Sequence, residues 1–276
     1  MPLLALPSIS RDIAVDSYIH YGAEIVQFHT RLLRVSLAAE ESHSYWQHYR
    51  AEISGDLQEQ IAFEERWFGS KSMERTRLLL KEFAQRYNAY PDALAVLHQW
   101  QPRDPIARRN LCHWHLQFVD PIYRAFTDTY LVQRRSLAEP TINRDTVGRW
   151  VSQQIGENRW SPATLSRMAT GLIAVAAASG LCTTKAGERM LIYPQVSDIA
   201  LEYWLYFLRH ATFSGTLLDN PYLRSVGLTE GFLETRLQRL SSISFRRMGE
   251  LIDFGWKYSN LASWAVGRFQ DEDKAL

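Results

Sequence analysis

The chain has 276 residues, 46% of them hydrophobic and 12% aromatic, with a formal net charge of +1. That composition supports a large buried core and excludes an intrinsically disordered chain, while the even charge balance neither requires nor excludes a nucleic-acid partner, because a balanced total can hide a polarised surface. Its two cysteines, Cys112 and Cys182, exclude a disulfide framework and a four-thiolate metal site.

In chain order, residues 1–9 carry no basic stretch ahead of their apolar residues, and no apolar run reaches the ~20 residues that cross a bilayer, so a cytoplasmic protein without membrane contact is expected. Residues 11–38 give a long amphipathic helical pattern through Ile13, Ile19, Ile25, Phe28, Leu32 and Leu37, with Gly22 as a break. Two more helices are expected over 45–68 and 72–87, separated by Gly69, Ser70 and Lys71. Pro91 opens a helix to Trp100, the prolines of the 101–105 loop stop it, and 110–118 and 121–135 follow as aromatic-rich helices. Glu139, Pro140 and Thr141 read as a linker that divides the chain into an N-terminal helical bundle, 1–140, and a C-terminal region, 141–276.

The next fifty residues are the most informative. Over 145–155, Val147, Trp150, Val151 and Ile155 fall near one helical stripe before Gly156 and Asn158 interrupt it. Ser161 then offers an N-cap hydroxyl, Pro162 suits the first helical position, and Leu165, Met168, Ala169, Leu172 and Ala176 recur on one face until Gly180. Residues 181–184 and 189–193 read as two short strands about a turn, closed by Pro194. Helix, corner, helix and ribbon in that order describe a winged helix-turn-helix, whose second helix enters a DNA groove. The outer face of that helix holds Ala163, Arg167, Thr170, Gly171 and Ala174, small enough to approach a phosphate backbone closely. Small residues equally permit tight helix packing, and the same elements also fit one more lobe of a helical domain. On the first reading, Arg159, Thr164, Arg167, Thr170, Lys185 and Arg189 are the candidate DNA contacts, with Lys185 and Arg189 on the ribbon suited to phosphates.

Beyond the ribbon, 197–212 is expected to form an aromatic core helix through Tyr203, Trp204, Tyr206 and Phe207. Thr229 starts a helix to Leu240, Ser244 starts another through Met248, Leu251 and Ile252, and 254–264 is a short extended candidate with Gly255 at its bend. This order is a weak echo of the preceding module.

Chemistry-bearing patterns are sparse. Cys112, His113 and His115 crowd one helical turn, but only Cys112 and His115 have an offset that suits a metal, and no second ligand pair lies nearby. There is no phosphate-binding loop, no dinucleotide fingerprint and no nucleophile elbow. No cofactor or metal is expected. The cations are 26 arginines and five lysines; arginine suits phosphate and guanine recognition, although a GC-rich genome produces the same bias. The pairs Arg108–Arg109, Arg134–Arg135 and Arg246–Arg247 form either a phosphate-tracking stripe or solvated helix faces.

Several short motifs resemble the BrxA family, accessory proteins of bacteriophage-exclusion (BREX) systems. They are Gly69-Ser70-Lys71-Ser72-Met73-Glu74-Arg75, leading to Gln85-Arg86-Tyr87; Phe118-Val119-Asp120-Pro121-Ile122-Tyr123-Arg124-Ala125-Phe126; Trp160-Ser161-Pro162-Ala163-Thr164 with Arg167; and Gly180-Leu181. The resemblance spans roughly residues 15–265. It implies an all-helical, non-enzymatic protein that binds double-stranded DNA and works beside a methyltransferase, an ATPase and a phosphatase-like component in antiviral defence. It carries no catalytic residue to this chain. The competing expectation is a helical scaffold that assembles a defence complex without touching DNA.

Overall fold

The computed structural model describes residues 20–156, 159–249 and 251–273, with side chains as far as 269. It is mainly α-helical, with two small antiparallel sheets.

Where a helix is expected over 20–38, the chain is extended and bent, with one 3-10 turn over Arg31–Leu33; residues 11–19 of that expectation lie outside the described residues. The backbone donors and acceptors here are taken by distant segments. Tyr21 N–H donates to His210 O, Glu24 N–H to Thr212 O and Ile25 N–H to Phe118 O, while Thr212 N–H returns to Gly22 O. Gly22 has φ +94°, a conformation that breaks a helix and suits this crossing. Tertiary pairing therefore overrides the local apolar period.

The helices then follow as α1 (Ala39–His48), α2 (Gly55–Glu64), α3 (Met73–Phe83), α4 (Pro91–Trp100), α5 (Pro105–Val119), α6 (Pro121–Ala125) and α7 (Leu131–Arg135). The single helix expected over 45–68 is thus two. Asp104 caps α5 and Asp120 caps α6, each with proline at the first turn, which explains their sharp starts. Strand β1 (Thr141–Ile142) precedes α8 (Arg144–Ile155), α9 (Pro162–Ala178) and β2 (Arg189–Met190). The chain ends with α10 (Asp198–Leu208), α11 (Pro221–Ser225), α12 (Glu230–Leu237), β3 (Ile243–Met248), β4 (Leu251–Trp256) and α13 (Leu261–Asp273).

Helix α5 is the axis of the core. Its Leu111, Trp114 and Phe118 are fully buried against Tyr203, Trp204 and Phe207 of α10, with Trp114 stacked on Trp204 at 5.7 Å and Phe118 edge-on to Phe207 at 5.1 Å. The apolar core continues across residue 140 without a break, because Trp150 of α8 packs on Phe126 and Tyr130.

The helix expected from Ser244 is instead the β3–β4 hairpin, and the extended segment beyond Phe254 becomes the end of β4 and the start of α13. Ile243 and Phe245 alternate inward against exposed Ser244 and Arg246, the period of a strand. Met248 pairs with Leu251, so the connection is the shortest kind, and Gly249 in it has φ +64°. Helix, helix and hairpin thus recur: α11, α12 and β3–β4 repeat the order of α8, α9 and the first ribbon.

Candidate nucleic-acid interface

The first module is assembled by local signals. Asn143 accepts from Thr146 N–H while the Thr146 hydroxyl accepts from Asn143 N–H, a reciprocal cap that starts α8. Val147, Trp150, Val151 and Ile155 are its buried stripe. Ser161 Oγ accepts from Thr164 N–H at 3.2 Å and Pro162 opens α9, which buries Met168, Ala169, Leu172, Val175 and Ala176. Leu181 N–H reaches back to Ala176 O and Gly180 takes φ +76°, closing the helix with a left-handed cap.

The ribbon has a third strand. β1 pairs antiparallel with β2, Thr141 opposite Met190 and Ile142 opposite Arg189. On the other side of β2, Cys182 bridges Leu191, Thr183 N–H donates to Met190 O and Ile192 N–H to Leu181 O. The segment read as a linker thus contributes an edge strand, and Arg134 holds it there with two donors to Thr141 O at 3.0 and 2.8 Å. Strand, two helices and a hairpin that pairs back onto the first strand follow the order expected of a winged helix-turn-helix-like region.

The six candidate contacts occupy different environments. Arg167 is exposed on α9 and Lys185 is exposed at the ribbon tip, and neither has a partner among the described residues. Residues 184–188 are all exposed, so the tip stands free of the helical bundle. Arg159 is exposed, with its guanidinium 5.9 Å from the Phe28 ring. Thr164 and Thr170 are partly occupied within α9: Thr164 Oγ1 lies 3.0 Å from Ser161 Oγ, and Thr170 Oγ1 donates to Ser166 O. Arg189 is half-buried beside Cys182, whose thiol burial pushes up against the opposing pull of that guanidinium. Arg167, Arg159 and Lys185 are therefore the cations of the set that face solvent.

Two features escape a helical-wheel reading. Gly171 does not face solvent freely: a Cβ there would lie 2.9 Å from Leu32 Cδ2 and 3.5 Å from Leu33 Cδ2, because the 3-10 turn packs on α9. The open face narrows to Ala163, Arg167, Thr170 and Ala174. Arg149, exposed on α8 with no partner among the described residues, joins the same module. Its only sequence signal was its place opposite the Val147–Val151 stripe.

The paired arginines do not form a stripe. Arg108 pairs with Glu40, Arg134 ties β1, Arg135 donates to Ser225 O and Ile192 O, and Arg247 pairs with Glu234. Structural roles take most of these side chains.

Cys112, His113 and His115 are all buried in α5. His113 Nδ1 lies 2.8 Å from Tyr123 Oη and Nε2 lies 2.9 Å from Ser225 Oγ, while Tyr123 Oη also meets Ser179 Oγ at 2.9 Å. One imidazole thus joins the end of α9 to the end of α11. Burial pushes the His113 pKa down to about 3, aided by the nearby Arg135 charge. Among the described residues no three His, Cys, Asp or Glu side chains come together as a metal site, and no helix is long and apolar enough to cross a membrane.

No protein-family model matches the sequence, and no curated protein matches it. The fold is similar to the crystal structure of an uncharacterized protein from Magnetospirillum magneticum, with a TM-score of 0.55 at 12% identity over 73% of this chain and 98% of that one.

Proposed function

We propose that this protein binds double-stranded DNA without catalysing a reaction on it, through the winged-helix module of β1, α8, α9 and β2. The observation that carries the reading is the placement of three exposed cations on this module. Arg149, Arg167 and Lys185 are exposed with no partner among the described residues, and all three lie on one module whose connectivity suits duplex docking. Small side chains around Arg167 leave one long donor to reach the backbone, so phosphate contact and shape recognition dominate over base-by-base readout. The motif resemblance supports the same reading and extends it to a cytoplasmic accessory role in a BREX-type antiviral defence system, beside proteins such as a methyltransferase or an ATPase. A scaffold without duplex affinity is the second reading, favoured by the exposed apolar side chains on the β3–β4 hairpin.

The test is fluorescence anisotropy of a labelled duplex against the wild-type chain and the Arg149→Ala/Arg167→Ala/Lys185→Ala variant. Duplex affinity should fall by roughly 100-fold or more at low salt, the loss of about three phosphate contacts at near 1 kcal/mol each. Equal affinity of the two proteins removes the module from the interface.

A further inference from the structure

The helical bundle carries a cavity of about 430 Å³ between α4 and the turn that joins α1 to α2. That size lies within the roughly 300–1,000 Å³ range of small-molecule sites. Pro91, Leu94, Ala95 and His98 recur at the spacing of one helical face, so this stripe of α4 forms one wall, apolar except for His98. Tyr49, Arg50 and Glu52 of the turn line the other, and the Tyr49 ring packs on Tyr45 at 5.2 Å.

Four polar groups of this lining lack a complement. The Tyr49 hydroxyl accepts from Asn88 Nδ2 at 3.2 Å, while Asn88 Oδ1 accepts from the Tyr45 hydroxyl at 2.6 Å, so the Tyr49 proton has no acceptor among the described residues. His98 Nδ1 lies 2.7 Å from Trp46 O. A carbonyl only accepts, so in the neutral ring Nδ1 carries the proton and Nε2 is left as an acceptor. Arg50 and Glu52 are exposed, and neither side chain has an ion-pair or hydrogen-bond partner among the described residues. A guanidinium and an O–H donor, a carboxylate and a ring-nitrogen acceptor thus border one apolar stripe.

We propose that this cavity binds a free aromatic amino acid whose ring carries a hydrogen-bond donor, tryptophan or tyrosine. The ligand carboxylate meets Arg50 and the Tyr49 hydroxyl, its ammonium meets Glu52, and its ring lies on Leu94 and Ala95 with the ring N–H or O–H donating to His98 Nε2. A ligand with only one of the two charges leaves Arg50 or Glu52 unmatched, and a ring without a donor leaves the His98 acceptor unmatched. The inference is independent of the DNA-binding reading, since no residue of the winged-helix module lines the cavity.

Isothermal titration of the full chain compares L-tryptophan with tryptamine, which lacks the carboxylate, indole-3-propionate, which lacks the ammonium, and L-phenylalanine, which lacks the ring donor. Tryptophan should bind with a Kd on the order of 1 mM or tighter, as fits a ligand of this size, and each of the other three about tenfold more weakly. Arg50→Ala should abolish the preference over tryptamine, Glu52→Gln the preference over indole-3-propionate and His98→Ala the preference over phenylalanine, each pairing of ligand and variant isolating one contact. All three substitutions fall at exposed positions, and thermal melting verifies that the variants fold. The proposal is overturned by absence of tryptophan binding at about 10 mM, by equal binding of the four compounds, or by preferences that survive the matching substitutions.

Discussion

Acidification tests the buried imidazoles that lock the helices together. His113 is 2% exposed and His115 is fully buried, and burial holds the pKa of each down to about 3. In the unfolded chain both return to about 6.5. Below that value the unfolded state takes up two protons that the native state refuses, so stability present at neutral pH is lost progressively as pH falls from about 6.5 toward 3. At about pH 5 the loss is about 2 kcal/mol for each histidine and about 4 kcal/mol for both, a large part of the 5–15 kcal/mol typical of a folded domain. Asp120 acts in the other direction, because burial raises its carboxyl, but it is one group against two. Urea unfolding at about pH 7.5 and about pH 5 reads the difference directly. In His113→Gln the pH-dependent part should halve to about 2 kcal/mol, whatever that substitution does to stability at neutral pH. Equal wild-type stability at the two pH values, or an unchanged difference in the variant, refutes the argument.

Three further outcomes follow from single contacts. Ser161→Ala removes the N-cap of α9 and should cost about 1 kcal/mol, seen as a Tm lowered by a few degrees in calorimetry. Arg167→Ala should reduce the slope of log affinity against log salt by about 1 and weaken all duplex sequences alike, because a phosphate contact carries no sequence information. Trp150→Ala empties the contact between α8 and the Phe126–Tyr130 turn and should cost about 3–5 kcal/mol in denaturant unfolding, since Trp150 is 7% exposed there.

The winged-helix module was legible because its signals are local. Ser161, Pro162 and Gly180 set the ends of α9 within a few residues of themselves, and the Val147–Ile155 stripe needs no distant partner to be seen. β1 was not legible: two residues carry no periodicity, and Thr141–Ile142 become a strand only by meeting 189–190 nearly fifty residues later. The β3–β4 hairpin failed for another reason. Met248, Leu251 and Ile252 have helical spacing, and that local period conceals the turn between strands at Gly249. The segment at 20–38 shows apolar residues at helical intervals, but the amides of Tyr21, Glu24 and Ile25 are satisfied by residues 210, 212 and 118. Of the candidate site, the exposed Arg167 and Lys185 were recoverable from position alone. The partial burial of Arg189 beside Cys182 and the covering of Gly171 by Leu32 depend on packing that the local sequence does not display.

The most direct test of the central claim compares duplex and single-stranded oligonucleotides in a gel-shift titration at about 50 and about 200 mM salt. About four phosphate contacts, from Arg149, Arg159, Arg167 and Lys185, predict a duplex affinity that falls on the order of 100-fold between the two conditions and exceeds single-strand affinity at both. Absence of a duplex complex at the lower salt, or equal binding of single strands, contradicts it.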